Sequence, residues 1–225
     1  MILSQLEQAT VRQEQDALIL SFPRPVPILS WAVLNGGFCH ARYVVNHHVE
    51  SNDVGFAADP EGWLTRQVQR LQLEGEAVVM ATGVNMSALT QVSLSGGGSK
   101  VICFTTVGLG NALSVGDSAL FQEHQVISPH TINMILLVHP GLRQEAMVEA
   151  VQIATEGRVR ALYENGLKSC RSGLPATGTG TDCVAVVSLG DGVERYCGKH
   201  TKLGELIGGT AYMSVAKGVA LSTEK

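Results

Sequence analysis

Four apolar, β-branched runs of strand length constrain this chain more than any other feature: Glu76 to Val84 (EAVVMATGV), Lys100 to Val107 (KVICFTTV), Thr131 to Val138 (TINMILLV) and Cys183 to Leu189 (CVAVVSL). Each is far too short to cross a bilayer as a helix, and each is bounded by glycine or polar residues, so all four read as strands. Ala17 to Phe22 (ALILSF), followed by Pro23, Pro25 and Pro27, reads as a strand running into an extended segment, and Ile28 to Leu34 (ILSWAVL) as another strand. A further short strand fits Ala41 to Val45, whereas Ile2 to Glu14 is only weakly periodic.

Helical spacing takes over in three places. Pro60 to Glu74 carries Trp63, Leu64, Val68 and Leu71 on one stripe, with Asp59 as cap and Pro60 at the first position. A long helix from about Leu142 to Glu164 is expected to bury Met147, Ala150, Val151, Ala154 and Ala161. After Thr201, a plausible N-cap, Leu203, Leu206, Ile207, Thr210, Ala211 and Ser214 follow the i, i+3, i+4 rule. The turn Gly190 to Gly192 would send Val193 to Cys197 back as a hairpin arm. Strands that follow one another without helices between them predict an α+β fold, with a mixed or largely antiparallel sheet covered by helices in a single layered domain, 1–225. A doubly wound parallel α/β sheet is the alternative. With 225 residues, 45% of them hydrophobic, the chain fills one core and not two large ones.

Composition excludes several function classes. The net charge is −4 and the basic residues are scattered, so nucleic acid is not an expected partner. Neither a signal-like N-terminus nor an apolar run near ~20 residues is present, which predicts a cytoplasmic protein away from the membrane. Five cysteines (Cys39, Cys103, Cys170, Cys183, Cys197) without C-x-x-C spacing read as free thiols, two of them inside strands. Of the pair His47-His48, neighbours on a strand point to opposite faces and do not share one metal. Leu174 to Gly178 (LPATG) matches a cell-wall sorting signal but lacks the apolar tail such a signal needs. Ser95 to Ser99 (SGGGS) lacks the Lys-Ser/Thr of a nucleotide loop and reads as a plain connection.

The densest set of glycines, hydroxyls and charges lies between Leu174 and Gly209. Thr177 to Thr181 alternates hydroxyls with Gly178 and Gly180, a loop whose backbone N–H groups can approach a ligand, and Asp182 follows at the mouth of a strand. Lys199 and His200 stand just before the last helix, at an end that suits an anionic or carbonyl group. Upstream, Asn35-Gly36-Gly37 is a turn by default. Taken singly, His200 is a helix-cap residue and Asp182 a carboxylate that fixes its own loop through nearby threonines. Glu156 falls on the exposed stripe of the long helix with Arg160 as an ordinary ion-pair partner, while Thr155 faces inward.

T-G-T-G-T-D before a strand, then Y-C-G-K-H-T-K-L-G-E-L-I-G, resembles the signature of the adenosylcobinamide amidohydrolases, and Asn35-Gly36-Gly37, Gly110-Asn111-Ala112 with Gly116-Asp117, Thr131-Ile132-Asn133 and Thr155-Glu156-Gly157-Arg158 extend the resemblance from about Ser30 to Gly209. At the last of these the family has Ala and Lys where this chain has Gly157 and Arg158; the charge is kept. The resemblance implies cleavage of the amide that joins a corrin propionyl side chain to aminopropanol, giving adenosylcobyric acid in cobalamin salvage. It implies a small-molecule corrinoid partner; no cofactor is expected, a metal site from Asp182, His200 and a third ligand lacks an H-E-x-x-H or comparable spacing, and a homo-oligomer stays open. Amide hydrolysis needs an activated nucleophile, donors for an oxyanion and a proton for the leaving amine. On this reading His200 is general base and acid, Asp182 orients it or shares the proton work, and Lys199 with the N–H groups around Gly178 and Gly180 holds the oxyanion. Substrate contacts are expected at Asn35, Gly36, Gly37, Asn111, Thr155, Glu156, Gly178, Thr179, Gly180 and Thr181. Activated water is the simpler nucleophile, with Thr179 or Thr181 as the covalent alternative. Two other classes are a corrinoid-binding protein without hydrolysis and a nucleotide-binding enzyme using the Gly-rich loops.

Overall fold

The computed structural model describes residues 2–6, 8–119 and 130–223. Strand β1 (Ile2–Leu6) pairs antiparallel with β2 (Ala9–Gln13), so the weakly periodic N-terminus is a hairpin. Strand β3 (Ala17–Ser30) is a single 14-residue strand and not two. Its pairing with β4 (Gly37–His48) shifts register between Ser21 and Val26, across the stretch that holds Pro23 and Pro25. Prolines have no N–H to donate, and they are tolerated here because β3 changes partner at that point. Residues 18–21 lie against β2, while 28–30 lie against β11 (Cys183–Ser188). Beyond Ser30 the chain leaves the strand, so Trp31 to Leu34 belong to the connection leading to Gly37.

Helix α1 (Val54–Ala58) precedes α2 (Pro60–Arg70), which is capped by Asp59 with Pro60 in its first turn. Strand β5 (Ala77–Thr82) joins β4 in parallel. The stretch after it contains a strand that periodicity did not single out, β6 (Thr90–Gly96), joined to β7 (Ser99–Val107) by a tight turn with Gly97 and Gly98 at positive φ. A two-residue strand, β8 (Ala112–Leu113), follows; then β9 (Ile132–His139), helix α3 (Gln144–Glu164), the short β10 (Gly178–Thr179) against β8, β11, and α4 (Lys202–Thr223). Six of the eight pairings in the nine-stranded sheet are antiparallel; only β4 with β5 and β9 with β11 are parallel. The sheet is mixed and the fold is α+β.

Because β3 and β4 are shared, the sheet folds over on itself, and the side-chain period of two sorts the residues into layers. Leu18, Leu20, Val44, Val78 and Met80 face Ile102, Phe104, Ile135, Leu137, Ala185 and Val187 across a dry middle layer. Their sequence neighbours point outward: Ile19, Val45 and Val79 pack with Leu64 under α2, and Val101, Cys103, Met134, Leu136, Val184 and Val186 pack under α3 and α4. Strands buried on both faces need apolar residues at every position, which is why the runs read as continuous and not alternating. Glu194 forms an isolated bridge with Leu142, and Val193 to Cys197 is not a hairpin arm. The reason is that β11 is flanked by β3 and β9 and has no free edge to offer.

Candidate active site

Asp182 sits at the N-terminal end of β11, beside the start of β9, with its side chain 7% exposed. Its carboxylate takes three hydrogen bonds and one charge contact. The N–H of Thr179 donates to Oδ2 at 2.8 Å and the Thr179 hydroxyl to Oδ1 at 2.5 Å. The N–H of Ile132 donates to Oδ1 at 2.9 Å, and Nη1 of Arg158, delivered by α3, lies 3.0 Å from Oδ2. A buried carboxylate needs this compensation, since an unpaired charge in a low-dielectric site is costly. The Arg158 guanidinium is itself buried, and among the described residues neither its Nε nor its Nη1 makes an aligned hydrogen bond, so its link to Asp182 is a charge contact. The loop closes this tightly over Asp182 because Gly178 has no side chain. A Cβ there would run into Asp182 Oδ2 and come to 3.3 Å from Arg158 Nη2.

Other elements brace the same loop. Strand β10 is held by β8, the Thr177 hydroxyl accepts from the Val115 N–H, and Ser169 donates to Asp117 at 2.5 Å. Hydrogen bonds from Ser169 and Ser172 hold the Asp117 carboxyl below its ordinary range. Asn111 lies beside Gly180, and its buried Oδ1 has no hydrogen-bond partner among the described residues. The Trp31 indole N–H donates to the Asp182 carbonyl at 2.6 Å, which ties the connection carrying Asn35, Gly36 and Gly37 to this end of the sheet. Asn35 is held in the left-handed region (φ 56°) by its side chain bonding the Ala77 carbonyl. Below the site, Asn46, Thr106 and Asn133 form a buried chain between the layers, at 2.9 and 2.8 Å.

Lys199 and His200 are elsewhere. Thr201 caps α4 through the N–H of Gly204, as expected, but the segment before it is pinned to the first half of α3 by Cys197, whose N–H donates to Glu149 and whose thiol donates to the Ala146 carbonyl. Lys202 lies against Gly97 at one end of β7, whereas Gly218, sixteen residues on, lies against Val107 at the other. Since Val107 pairs with Ile132, whose N–H binds Asp182, the two polar clusters occupy opposite ends of the layer. No hydrogen bond or ion pair joins Asp182 to His200 among the described residues. Both Lys199 and His200 are exposed, and Lys199 pairs with Glu156 at 2.5 Å, which lowers the Glu156 carboxyl. Arg160 accordingly pairs with Glu164, not Glu156, and Thr155 is half-buried. The structure therefore gathers Asp182, Gly178, Thr179, Gly180, Thr181 and Asn111 at one end, with Asn35, Gly36 and Gly37 nearby, and leaves Lys199, His200 and Glu156 apart. Arg158, marked in the sequence only by a cation at a motif position, is the side chain that the structure adds to this end.

Among the described residues no group of three or more His, Cys, Asp or Glu side chains is arranged to hold a metal ion, and no helix is long and apolar enough to cross a membrane. A recess of about 350 Å³, lined by Gly83, Val84, Val107, Gly108, Leu109 and His130 among others, opens at the end of β7 where Val107 pairs with Ile132.

Residues 2–225 match the family described as adenosylcobinamide amidohydrolase, and the chain belongs to that family. It is a hydrolase of an amide bond, and the family's substrate is a corrinoid small molecule. An uncharacterized protein of Methanocaldococcus jannaschii is 29% identical over 221 residues, covering 90% of this chain and 85% of its own. Among solved structures, the PH0078 protein from Pyrococcus horikoshii OT3 is 12% identical with a TM-score of 0.47, covering 99% of this chain and 82% of its own. A Burkholderia sp. beta-aminopeptidase is also 12% identical, with a TM-score of 0.44, covering 98% and 82%. These two likenesses are too distant to bear on the site.

Proposed function

We propose that the chain hydrolyses the amide between the corrin propionyl side chain and aminopropanol of adenosylcobinamide, giving adenosylcobyric acid, and that the reaction takes place at Asp182 and not at His200. The observation that carries this reading is the 2.5 Å hydrogen bond from the half-buried Thr179 hydroxyl to the Asp182 carboxylate. Among the described residues no donor is bonded to that hydroxyl, so its lone pairs can accept a proton from a water poised against the substrate carbonyl. As the water oxygen attacks the carbonyl carbon, its proton passes to Thr179 Oγ1 and the threonine's own proton passes to Asp182. The backbone N–H groups of Gly180 and Thr181, both exposed residues of the loop, receive the oxyanion. Collapse breaks the C–N bond, and the proton returns through Thr179 to the leaving nitrogen, releasing aminopropanol. Arg158 balances the carboxylate's buried charge, and Asn35 to Gly37 with Asn111 flank the substrate.

The test is incubation of metal-stripped protein with adenosylcobinamide, following both products by mass spectrometry. Product is expected, with Thr179→Ala and Asp182→Asn each lowering kcat by ~100-fold or more and Thr179→Ser retaining most of it. Wild-type rates in Thr179→Ala would remove the relay. A second reading puts the chemistry at Lys199, His200 and Glu156, favoured by the exposure of all three, by the ion pair of Lys199 with Glu156 on α3, and by the place of Lys199 and His200 just before a 22-residue helix. A ~100-fold loss in His200→Ala with Thr179→Ala unaffected would establish it. Stoichiometric corrinoid binding without product, even with divalent ions added, would make the chain a carrier.

A further inference from the structure

We infer that the corrin macrocycle lies on an open apolar shelf beside α3, formed by Trp31 and Phe38 as its floor and by Val148 and Thr155 as its wall. This rests on the reading above and names where the bulk of that substrate sits.

The geometry comes from three independent features. Leu29 packs with the helix-side core and pairs with Phe38, so Phe38 faces the helix layer; yet among the described residues it is 41% exposed. Trp31 follows two residues after Leu29 and is 50% exposed, while its indole N–H is fixed to the Asp182 carbonyl. Asp182 is on the same face, two residues before Val184 of the helix-side core, where Arg158 meets it. On α3, Gly157 contacts Gly208 and Ala211 of α4, and half a turn round the helix, away from α4, stand Val148 and Thr155. Val148 is 62% exposed although it is apolar and central to its helix. An exposed apolar strip that runs from an uncovered sheet face to a helix flank, and ends at the reacting group, is a surface for a ligand.

Size selects the occupant. The recess near His130 holds about 350 Å³, the small end of small-molecule sites, and a macrocycle with its side chains exceeds a drug-sized ligand. Such a ring must lie on an open face, where the methyl groups and conjugated edge of the macrocycle match half-exposed aromatic rings. With the ring against Trp31, an amide-bearing side chain extends past the indole toward Thr179, a short reach given the bond from Trp31 to Asp182.

The test separates binding from cleavage. Adenosylcobyric acid, which has no amide at the scissile position, is titrated by equilibrium dialysis into the wild type, Trp31→Ala and Phe38→Ala, and adenosylcobinamide turnover is measured in parallel. Each variant should bind ~10-fold more weakly or worse and raise KM by a similar factor with an unchanged circular dichroism spectrum, and Phe38→Ala should keep kcat within ~3-fold of the wild type. Val148→Glu, exposed and harmless to the fold, should act alike. Turnover with unchanged KM in all three variants would overturn the shelf and leave the activity standing. Corrinoid binding that depends on Trp31 without any turnover would uphold the shelf and overturn the activity.

Discussion

At the scale of single residues, Asp182 shows how one carboxylate can be both a loop anchor and a reactive group. The structural role anticipated for it, bonded to a nearby threonine N–H and hydroxyl, is the geometry found, and the same hydroxyl bond is what makes Thr179 a candidate relay. Removing the cation that balances it should be severe: Arg158→Met should cost ~3 kcal/mol or more in denaturant unfolding, because a buried charge loses its partner. Arg158→Lys should recover part of that. Gly178→Ala places a methyl group against Asp182 and should lower kcat by at least ~10-fold on the proposed mechanism. The thiols make a separate prediction. Burial raises Cys183 and Cys197 to about 12 and pushes Cys103 up as well, so at pH 8 all three are protonated and unreactive. Iodoacetamide mapped by mass spectrometry should label exposed Cys170 in the native protein and reach the other three only after unfolding.

At the scale of elements, the crossing of α3 and α4 decides where Arg158 points. A Cβ at Gly157 would stand 2.9 Å from the Gly208 carbonyl and 3.1 Å from Ala211, so the two backbones touch without side chains between them. Gly157→Val should therefore cost ~2 kcal/mol or more by overpacking against rigid backbone, and should lower kcat too, because α3 must move away and carry Arg158 with it. Urea unfolding and turnover on the same sample check both halves; a stable variant with full activity would show that the close crossing does not matter to the site.

For the whole molecule, acid stability has an identifiable contributor in the outer layer. His47 on β4 is buried, its ring edge-on to Trp63 of α2, and burial lowers its pKa from the ordinary value. Between that lowered value and the unfolded value near ~6.5, the unfolded chain binds the proton that the folded chain refuses, so stability falls as pH drops through this window. Melting temperatures at pH 7.5 and 5.5 should show a smaller drop for His47→Gln than for the wild type. Asp16 raises the pKa while His48 and Arg70 lower it, so variants at these positions should shift the window in the corresponding directions.

The amino-acid sequence by itself determined the strands buried on both faces, the capped helices α2 and α4, and the loop that ends in Asp182, because each is written in local apolar periodicity, turn residues and hydroxyls. It also carried the family, through a motif that is contiguous in the chain. Only the tertiary structure decided that β3 runs through its prolines, since that depends on a change of neighbour at Ser21 to Val26. Only the tertiary structure separated Asp182 from His200, eighteen positions apart in sequence: a strand between two polar clusters sends them to opposite ends of a layer, and whether the chain then returns depends on what pins it. Here Glu149 and Ala146 hold Cys197 at the far end, while Arg158, distant in sequence, arrives at Asp182 because two glycine-bearing helices cross closely enough to aim it.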